Sequence, residues 1–435
     1  MPDRETHVSR APVRLDVLGG TADFAGSVML SSTLENAVIA GIQKRRDMRI
    51  LIKAVGLNNL GANIIDYHFD HLINAGSDPD AMIAELRSQN LPDWSIMVLG
   101  LLHILSHHDK VSIQNGVTVG IHSSVAMPSG VNTGAALQTA VITALKSAFD
   151  LPFNAFQLAE FCLQTDRLAG NPGGIMAPLT SAMGIKNKLL AVRSQPHELL
   201  KMVPVPPGLQ LFGIDCQIPP ESLTAQLKHA LVASKIGREI VFSLAEKPEN
   251  YRGYLANIPI TEWETQYRDK VPETISGEQF IKEYGDLNEP GVTIEPDTVY
   301  QVRLHTAFPI FENERVQQFI KHLEAFTELR NQDHLLQAGR IMYESGDHFQ
   351  NDAPEDRVKF VMDILRNLGP EQGVYGARRT ACCGSGTLVV LGDKNIDDHI
   401  GTLQARYQDA FHSKFILYRN SSPGALDQGT IISKI

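Results

Sequence analysis

The stretch that indicates the fold most directly is His122-Ser-Ser-Val-Ala-Met-Pro-Ser-Gly-Val-Asn-Thr-Gly-Ala-Ala-Leu-Gln-Thr-Ala-Val-Ile-Thr-Ala-Leu145. An apolar, β-branched run at 117–121 precedes it and predicts a strand, while the alanine-rich run from Ala135 predicts a helix. Small loop residues let the backbone approach a phosphate, and the first amides of a helix offer donors at the positive end of its dipole. The pattern therefore predicts a phosphate-binding loop, and the alternative is an ordinary strand-to-helix turn.

The length of the chain, 435 residues, predicts two domains. The proline-rich bend Pro204-Val-Pro-Pro207 is the best candidate boundary, which gives an N-terminal domain of residues 1–205 and a C-terminal domain of residues 206–435. Strand and helix patterns mix in both halves without a repeat. The predicted fold class is therefore α+β, with helices packed on mostly antiparallel sheets.

Charge and composition narrow the range of partners. The net charge is −10, with no clustered Lys and Arg to neutralise nucleic-acid phosphates, and no apolar run is long enough to span a bilayer. We therefore expect a small-molecule ligand, no nucleic acid and no membrane. The polar N-terminus lacks the apolar core of a secretory signal, which predicts a cytoplasmic protein. The four cysteines, Cys162, Cys216, Cys382 and Cys383, lack zinc-ligand spacing and are interpreted as reduced thiols.

Individual elements are predicted from hydrophobic periodicity. A hairpin is predicted between the strands 188–192 and 209–215, across the proline-rich bend. A short helix is predicted over 316–323, and a helix over 94–107 places His103 and His107 four residues apart on one face. Two histidines with that spacing are a candidate metal pair, but at a helix C-terminus they also complement the helix dipole, and no third ligand is evident.

Three separated motifs resemble those of one family. The segment Ala11-Pro-Val-Arg-Leu-Asp-Val-Leu-Gly-Gly-Thr-Ala-Asp-Phe-Ala-Gly26 resembles the opening A-P-G-R-x-x-x-x-G-x-x-x-D-Y-x-G of the galactokinase and L-arabinokinase branch of the GHMP kinases. Met127-Pro-Ser-Gly-Val-Asn-Thr-Gly-Ala-Ala-Leu137 is similar to their phosphate loop, and Gly376-Ala-Arg-Arg-Thr-Ala-Cys-Cys-Gly-Ser-Gly-Thr-Leu388 to their third motif. Further shared segments, Phe308-Pro-Ile-Phe-Glu-Asn-Glu-Arg315 among them, extend the resemblance over essentially the whole chain.

The resemblance implies the fold and the ligands. It implies an N-terminal domain like ribosomal protein S5 domain 2, a C-terminal ferredoxin-like domain, ATP and Mg²⁺ as cofactors, and an aldose of the galactose or L-arabinose type as substrate. Arg14 occupies the position of the family's catalytic arginine, and Asp23 with Gly20 the position that holds the sugar. The implied nucleotide-binding residues are Pro128, Gly130, Asn132, Thr133, Gly134, Ala135, Gly384 and Gly386.

The sequence also departs from the family pattern. The carboxylate that engages the acceptor hydroxyl in the family falls on Ala177, and a methyl group takes no proton. The family's magnesium glutamate falls on Thr165, while Asp166 beside it is turned by about 100° on a helix. Thr133 keeps one hydroxyl as the other candidate metal ligand. In the third motif, Cys382 and Cys383 replace glycines.

Two functional hypotheses follow from these retained and altered motifs. One is an ATP-dependent sugar 1-kinase, in which positioning and charge compensate for the missing base. The other is a catalytically inactive pseudokinase that binds a sugar or sugar derivative and signals through a protein partner. A third hypothesis is a different reaction in the same pocket, but no residue in the sequence indicates which reaction.

Overall fold

The computed structural model describes residues 5–57, 63–74, 79–109, 111, 113, 115–127, 129–168, 174–218, 221–287, 289, 292–348, 356–380 and 386–434. The chain divides into two compact units that are discontinuous in sequence. The first unit comprises Met1–Arg14, Thr33–Lys186 and Ser421–Ile435, and the second comprises Leu15–Ser32 and Asn187–Asn420. The division into domains of 1–205 and 206–435 stays a prediction.

Two long strands contribute residues to both units, β1 (Glu5–Leu18) and β2 (Val28–Lys44). The other elements of the first unit are β3 (Arg49–Val55), β4 (Ile64–His68), α1 (Phe69–Asn74), α2 (Pro79–Ser88), α3 (Asp93–Ser106), β5 (Val117–Ser123), α4 (Thr133–Phe149), α5 (Ala155–Leu168), α6 (Met176–Met183), a C-terminal helix (Ala425–Gln428) and a C-terminal strand (Ile431–Lys434).

The first unit is built on one sheet with the strand order C-terminal strand, β1, β2, β5, β3, β4. The C-terminal strand pairs with β1, β2 with β5, and β3 with β4, all antiparallel, whereas β3 and β5 run parallel. Helices α3, α4, α5 and α6 pack against one another. The alanine-rich side of α4 lies inside this packing, because Ala136, Ala140 and Ala144 have no exposed surface and let neighbouring helices approach closely.

The second unit contains the elements β6 (Lys188–Arg193), β7 (Glu198–Pro204), β8 (Leu209–Asp215), α7 (Glu221–Leu244), α8 (Ile260–Glu262), β9 (Ile275–Ser276), α9 (Gly277–Tyr284), β10 (Val299–Tyr300), α10 (Val302–Leu329), α11 (Gln332–Asp347), α12 (Asp356–Leu368), β11 (Val374–Arg379), β12 (Thr387–Asp393), α13 (Asp397–Phe411) and β13 (Ile416–Tyr418). Numbered in chain order, the C-terminal helix of the first unit (Ala425–Gln428) is α14, and its C-terminal strand (Ile431–Lys434) is β14.

The second unit has an antiparallel four-stranded sheet in the order β11, β12, β8, β13. Its apolar residues, among them Phe212, Ile214 and Val390, form a core with α12 and α13. A second core lies around α7 and α10 and includes the fully buried Trp263. Helix α10 packs on both α7 and α11, and it therefore connects these layers.

One prediction about this region is wrong, and the bounds of another are too short. The strand 209–215 does not pair with 188–192, because β6 pairs with β7 and with the start of β2, while β8 pairs with β12 and β13. The predicted helix over 316–323 is part of the much longer α10, which continues through Pro309. An interior proline suggests a break in the sequence, but burial of the first half of α10 in the core outweighs that local cost.

The alternation of apolar and polar residues from Ala11 predicts a half-buried strand, but every residue of β1 from Ala11 to Leu18 is buried. Cys162 and Cys216 are buried and unbridged, as expected for reduced thiols, whereas Cys382 and Cys383 lie outside the described residues. Within the described part of the chain, every helix is too short or too polar to cross a membrane.

Candidate functional site

The predicted phosphate loop forms a tight turn immediately before α4. The hydroxyl of Thr133 donates to the carbonyl oxygen of Ala126 at 2.9 Å, and the Ser129 hydroxyl lies 2.6 Å from that of Thr133. The backbone N–H of Asn132 donates to the carbonyl of Ser129 at 3.2 Å. These bonds hold the loop against the start of the helix. Pro128, predicted to belong to the same loop, lies outside the described residues.

The N-terminus of α4 has the features of an anion-binding helix end. Asn132 precedes the helix in the left-handed conformation, with φ 60° and ψ 52°, and its side chain makes no capping hydrogen bond. Asn132 and Gly134 are partly exposed, whereas Thr133 and Ala135 are buried. The unpaired amides of the first turn and the dipole of a 17-residue helix favour a negative group at this position.

Arg14 lies next to this loop. It belongs to β1, only 6% of its surface is exposed, and its backbone N–H donates to the carbonyl of Val131 at 3.0 Å. The strand that carries the predicted catalytic arginine is therefore hydrogen-bonded to the predicted phosphate loop, although residues 14 and 131 are far apart in sequence. The structure brings these two predictions together within the first unit.

The two threonines predicted as metal ligands are both buried and hydrogen-bonded to backbone carbonyls. Thr165 has no exposed surface, and its hydroxyl donates to the carbonyl of Phe161 in the preceding turn of α5 at 2.9 Å. Thr133 is 1% exposed and has its hydroxyl bonded within the loop. Over the described residues, no group of three or more His, Cys, Asp and Glu side chains is arranged to hold a metal ion. A metal role for either threonine stays a prediction.

The candidate histidine pair has a structural explanation as well. His103 Nδ1 lies 2.9 Å from the carbonyl oxygen of Leu72, and His107 Nδ1 lies 3.0 Å from the carbonyl oxygen of His103. His103 is buried, and burial lowers its pKa, so the neutral ring is favoured. Both rings are thus bound to backbone groups of the first unit.

A carboxyl group beside the predicted metal position is held by α4. The side chain of Gln138, which has no exposed surface, donates from Nε2 to Oδ1 of Asp166 at 2.8 Å. Burial raises the pKa of Asp166 to about 7, while the hydrogen bond from Gln138 acts in the opposite direction. Burial therefore favours the neutral carboxyl of Asp166 more than solvent exposure would. The sequence shows that Asp166 is next to Thr165, but it does not predict the hydrogen bond from Gln138, because that residue is 28 positions away on α4.

Ala177, at the position of the family's carboxylate, lies in the first turn of α6. It is 7% exposed, and the carbonyl of its neighbour Pro178 is 3.4 Å from the Thr139 hydroxyl of α4. Proline is tolerated there because the first turn of a helix has no intrahelical partner for its N–H. The position is therefore held against α4, but it carries a methyl group in place of a proton acceptor.

The residues predicted to hold the sugar lie in the second unit, on the turn that follows β1. Gly19 and Gly20 both have positive φ, 118° and 58°, and Asp23 is a partly exposed residue of the 3-10 helix Gly20–Ala25. A Cβ atom on Gly19 would lie 2.5 Å from Sδ and 3.1 Å from Cα of Met29. The turn therefore requires glycine at this position both for its backbone conformation and for space.

Sequence reasoning missed the residue that holds this turn, Glu312 of α10. Its carboxylate is fully buried; Oε1 accepts the N–H of Gly19 at 2.9 Å and the hydroxyl of Ser345 at 2.7 Å. Arg315 lies 3.4 Å and the buried Arg378 3.7 Å from the same carboxylate. The only signal was that Glu312 belongs to one of the segments that resemble the family.

Gly386 of the third motif is explained by packing. Its φ is 68°, and a Cβ atom would lie 2.3 Å from Cδ1 of Ile218 and 3.2 Å from Cγ2 of Val358. A side chain at this position would therefore displace the core of the second unit. Gly384 lies outside the described residues, and a nucleotide role for either glycine stays a prediction.

Comparisons with known proteins agree with the motifs. Residues 97–184 match the family model described as the GHMP kinases N terminal domain. The chain is 26% identical to L-arabinokinase of Arabidopsis thaliana over 97% of its own length, but it spans only 46% of that protein. It is 23% identical to galactokinase of Clostridium acetobutylicum, with 92% of this chain and 88% of that one covered.

Solved structures show the same likeness at the level of the fold. The galactokinase of Lactococcus lactis, determined in complex with galactose, superposes with a TM-score of 0.72 over 99% of this chain and 95% of that chain, at 15% identity. A mevalonate kinase superposes with a TM-score of 0.56 over 96% of this chain and 99% of that chain, at 10% identity. The GHMP kinase fold that the sequence motifs imply is therefore confirmed.

Proposed function

Because the chain is a galactokinase- and L-arabinokinase-like GHMP kinase homologue, we propose that it binds an aldose and ATP and phosphorylates the anomeric hydroxyl of the sugar slowly. The observation that carries this proposal is the arrangement in the first unit, where the strand of Arg14 is hydrogen-bonded to the loop at the uncapped end of α4. The first-turn amides of a helix favour a phosphate group over a neutral ligand, and an arginine on the strand bonded to this loop would add charge-assisted donors.

The residues present fit the phosphates of ATP better than its metal ion. Bound ATP would supply the γ-phosphoryl group, which is transferred through a loose transition state. The first-turn amides of α4 would hold phosphate oxygens, and the Arg14 guanidinium would stabilise the charge that develops during transfer. The carboxylate of Asp23 would accept hydrogen bonds from sugar hydroxyls and orient the acceptor.

The low rate follows from Ala177. Without a carboxylate at this position, the proton of the anomeric hydroxyl is released without a positioned acceptor. A positioned acid or base typically contributes about 10²–10⁴-fold to a rate. We therefore expect turnover below that of a kinase with a complete site, with positioning and charge as the remaining contributions.

The direct test is formation of sugar 1-phosphate from ATP, Mg²⁺ and a panel of aldoses that includes galactose and L-arabinose. Arg14→Ala should lower the rate by on the order of 10²–10³-fold, because a charge-stabilising donor is lost. The matched control is Arg49→Gln, which removes an exposed arginine of the same unit that pairs with Asp66 at the surface. A product signal that Arg14→Ala leaves unchanged in a folded protein would contradict the proposal.

The second candidate is a sugar-binding module without phosphoryl transfer. It is favoured by Ala177, whose methyl group accepts no proton, and by the hydroxyls of Thr133 and Thr165, which are buried and bonded to backbone carbonyls. Calorimetry separates the two functions. Sugar binding that is neither dependent on nor enhanced by ATP and Mg²⁺, with no measurable ATP binding, supports the module; ATP binding that strengthens sugar binding supports the kinase.

A further inference from the structure

A cavity in the second unit is lined by charged residues that the proposed function does not use. It has a volume of about 660 Å³, within the range of small-molecule sites. Its lining includes three arginines, two glutamates and one phenylalanine: Arg268, Arg303, Arg315, Glu264, Glu273 and Phe311. We call this the arginine cavity.

Two arginines of the cavity have glutamate partners at the surface. Arg303 lies 3.2 Å from Glu273, whose side chain is 82% exposed, and Arg268 lies 2.7 Å from Glu264, whose side chain is 36% exposed. Exposed ion pairs contribute little free energy, so an incoming anion can replace the glutamates at small cost. The Nε group of Arg303 also donates to the carbonyl of Val271 at 2.9 Å, which orients its guanidinium.

The third arginine is held more firmly. The side chain of Arg315 is 19% exposed, lies 3.4 Å from the buried carboxylate of Glu312, and has its guanidinium 5.8 Å from the ring centre of Phe311. Leu304 and Ala307 add an apolar wall next to this ring. The cavity thus combines guanidinium groups with an aromatic and aliphatic surface.

We propose that the arginine cavity binds a small organic phosphate, with the phosphate group between Arg303 and Arg315 and a ring-shaped body against Phe311. Guanidinium groups bind phosphate oxygens through paired N–H donors, and the glutamates that pair with Arg268 and Arg303 lie at the surface, where an anion can replace them. This site is distinct from the residues predicted for ATP and sugar, and the proposal does not depend on phosphoryl transfer.

Calorimetry of the full-length protein tests the proposal with three probes: a hexose 1-phosphate, adenosine monophosphate and inorganic phosphate. At least one of the two esters should bind more tightly than inorganic phosphate, because only the esters have a ring to place against Phe311. The ester that binds more tightly identifies whether the natural ligand is a sugar phosphate or a nucleotide.

Three single-residue variants test whether the phosphate esters bind in the arginine cavity. Arg303→Gln should weaken ester binding at least about tenfold, because charge-assisted hydrogen bonds are lost. Glu273→Gln should strengthen it by about two- to fivefold, because an exposed competitor for Arg303 is removed. The matched control is Arg340→Gln, which removes an arginine of α11 that pairs with Glu344 across one turn and should leave binding unchanged.

Each result has a defined consequence. Glu273 is largely exposed, so its variant should fold normally even if the thermal unfolding temperature of Arg303→Gln is lowered. Ester binding that responds to both variants in the expected directions supports the proposal. It is overturned if neither ester binds, if only inorganic phosphate binds, or if ester binding by folded Glu273→Gln equals that of the unchanged protein.

Discussion

At the scale of single residues, one missing carboxylate divides the two proposed functions. Ala177 lies in the first turn of α6, next to Pro178, whose carbonyl contacts Thr139 of the helix that follows the phosphate loop. A negative side chain in the first turn of a helix is favourable because of the helix dipole. Restoring a carboxylate is therefore compatible with the local structure.

We predict that Ala177→Asp raises the rate of sugar 1-phosphate formation, by up to about 10²–10⁴-fold if ATP and sugar are already aligned. Ala177→Asn is the matched control, because it has the same shape but does not accept a proton. The measurement is the initial rate with saturating ATP and sugar. No gain, together with no detectable ATP binding, would contradict the kinase proposal; a large gain would contradict the binding module.

A second prediction at this scale concerns Glu312. Its buried carboxylate faces Arg378, which is 2% exposed, and accepts the N–H of Gly19. Glu312→Ala should lower the free energy of unfolding by about 3–5 kcal/mol, because it removes the acceptor of the Gly19 N–H and leaves the buried Arg378 with Asp16, at 3.9 Å, as its remaining carboxylate. Urea denaturation measures this loss.

The control for Glu312 is its exposed neighbour Glu314 on the same helix. Glu314→Ala should change the free energy of unfolding by no more than about 0.5 kcal/mol. Glu312→Gln keeps an acceptor for the N–H of Gly19 and should cost less than Glu312→Ala. A cost of Glu312→Gln close to zero would show that the charge is unimportant.

At the scale of single elements, α4 has the clearest structural features of a phosphate-binding helix. Small residues form its buried side, and its first turn is left without a side-chain cap by Asn132. Gly134 is in this turn, and a Cβ atom there would meet only the flexible ends of Met97 and Met127, at 3.3 Å and 3.5 Å. A small side chain at position 134 can therefore be accommodated.

We predict that Gly134→Asp weakens ATP binding at least about tenfold while leaving the protein stable. The new carboxylate repels phosphate, but it also interacts favourably with the positive end of the helix dipole. Gly134→Asn is the control of equal size without the charge. Calorimetry with ATP and a thermal unfolding curve separate the two effects, and equal ATP affinity for both variants would exclude a phosphate site at this helix end.

At the scale of the whole molecule, both ends of the chain belong to the first unit. The C-terminal strand β14 pairs with β1, and the hydroxyl of Thr33 donates to the carbonyl of Ser422 at 2.6 Å. The N–H of Gly424 donates to the carbonyl of Gly184 at 2.7 Å, just after α6. The C-terminal segment is therefore part of the structure that positions Ala177.

We predict that Gly424→Leu destabilises the first unit by more than about 2 kcal/mol. A Cβ atom at this position would lie 2.6 Å from the carbonyl oxygen of Ala182 and 2.7 Å from the N–H nitrogen of Gly184, which are backbone atoms and cannot move aside easily. Gly401→Leu is the control, because nothing lies within 4 Å of a Cβ atom there. Hydrogen exchange should show faster exchange in residues 174–186 only for Gly424→Leu.

The sequence by itself determined the strand, loop and helix around residue 130, the family resemblance and the altered site positions. These features depend on local periodicity and on the order of residues in short motifs. The sequence was also sufficient to show that no carboxylate occupies position 177.

Only the tertiary structure decided which distant residues meet. It placed Thr165 in the core, paired β8 with β12 instead of β6, brought Glu312 to the N–H of Gly19, and assembled the arginine cavity. The physical reason is that such contacts depend on which buried surfaces pack together over separations of tens to hundreds of residues. Periodicity in the sequence indicates that a residue is buried, but it does not indicate which residues pack against it.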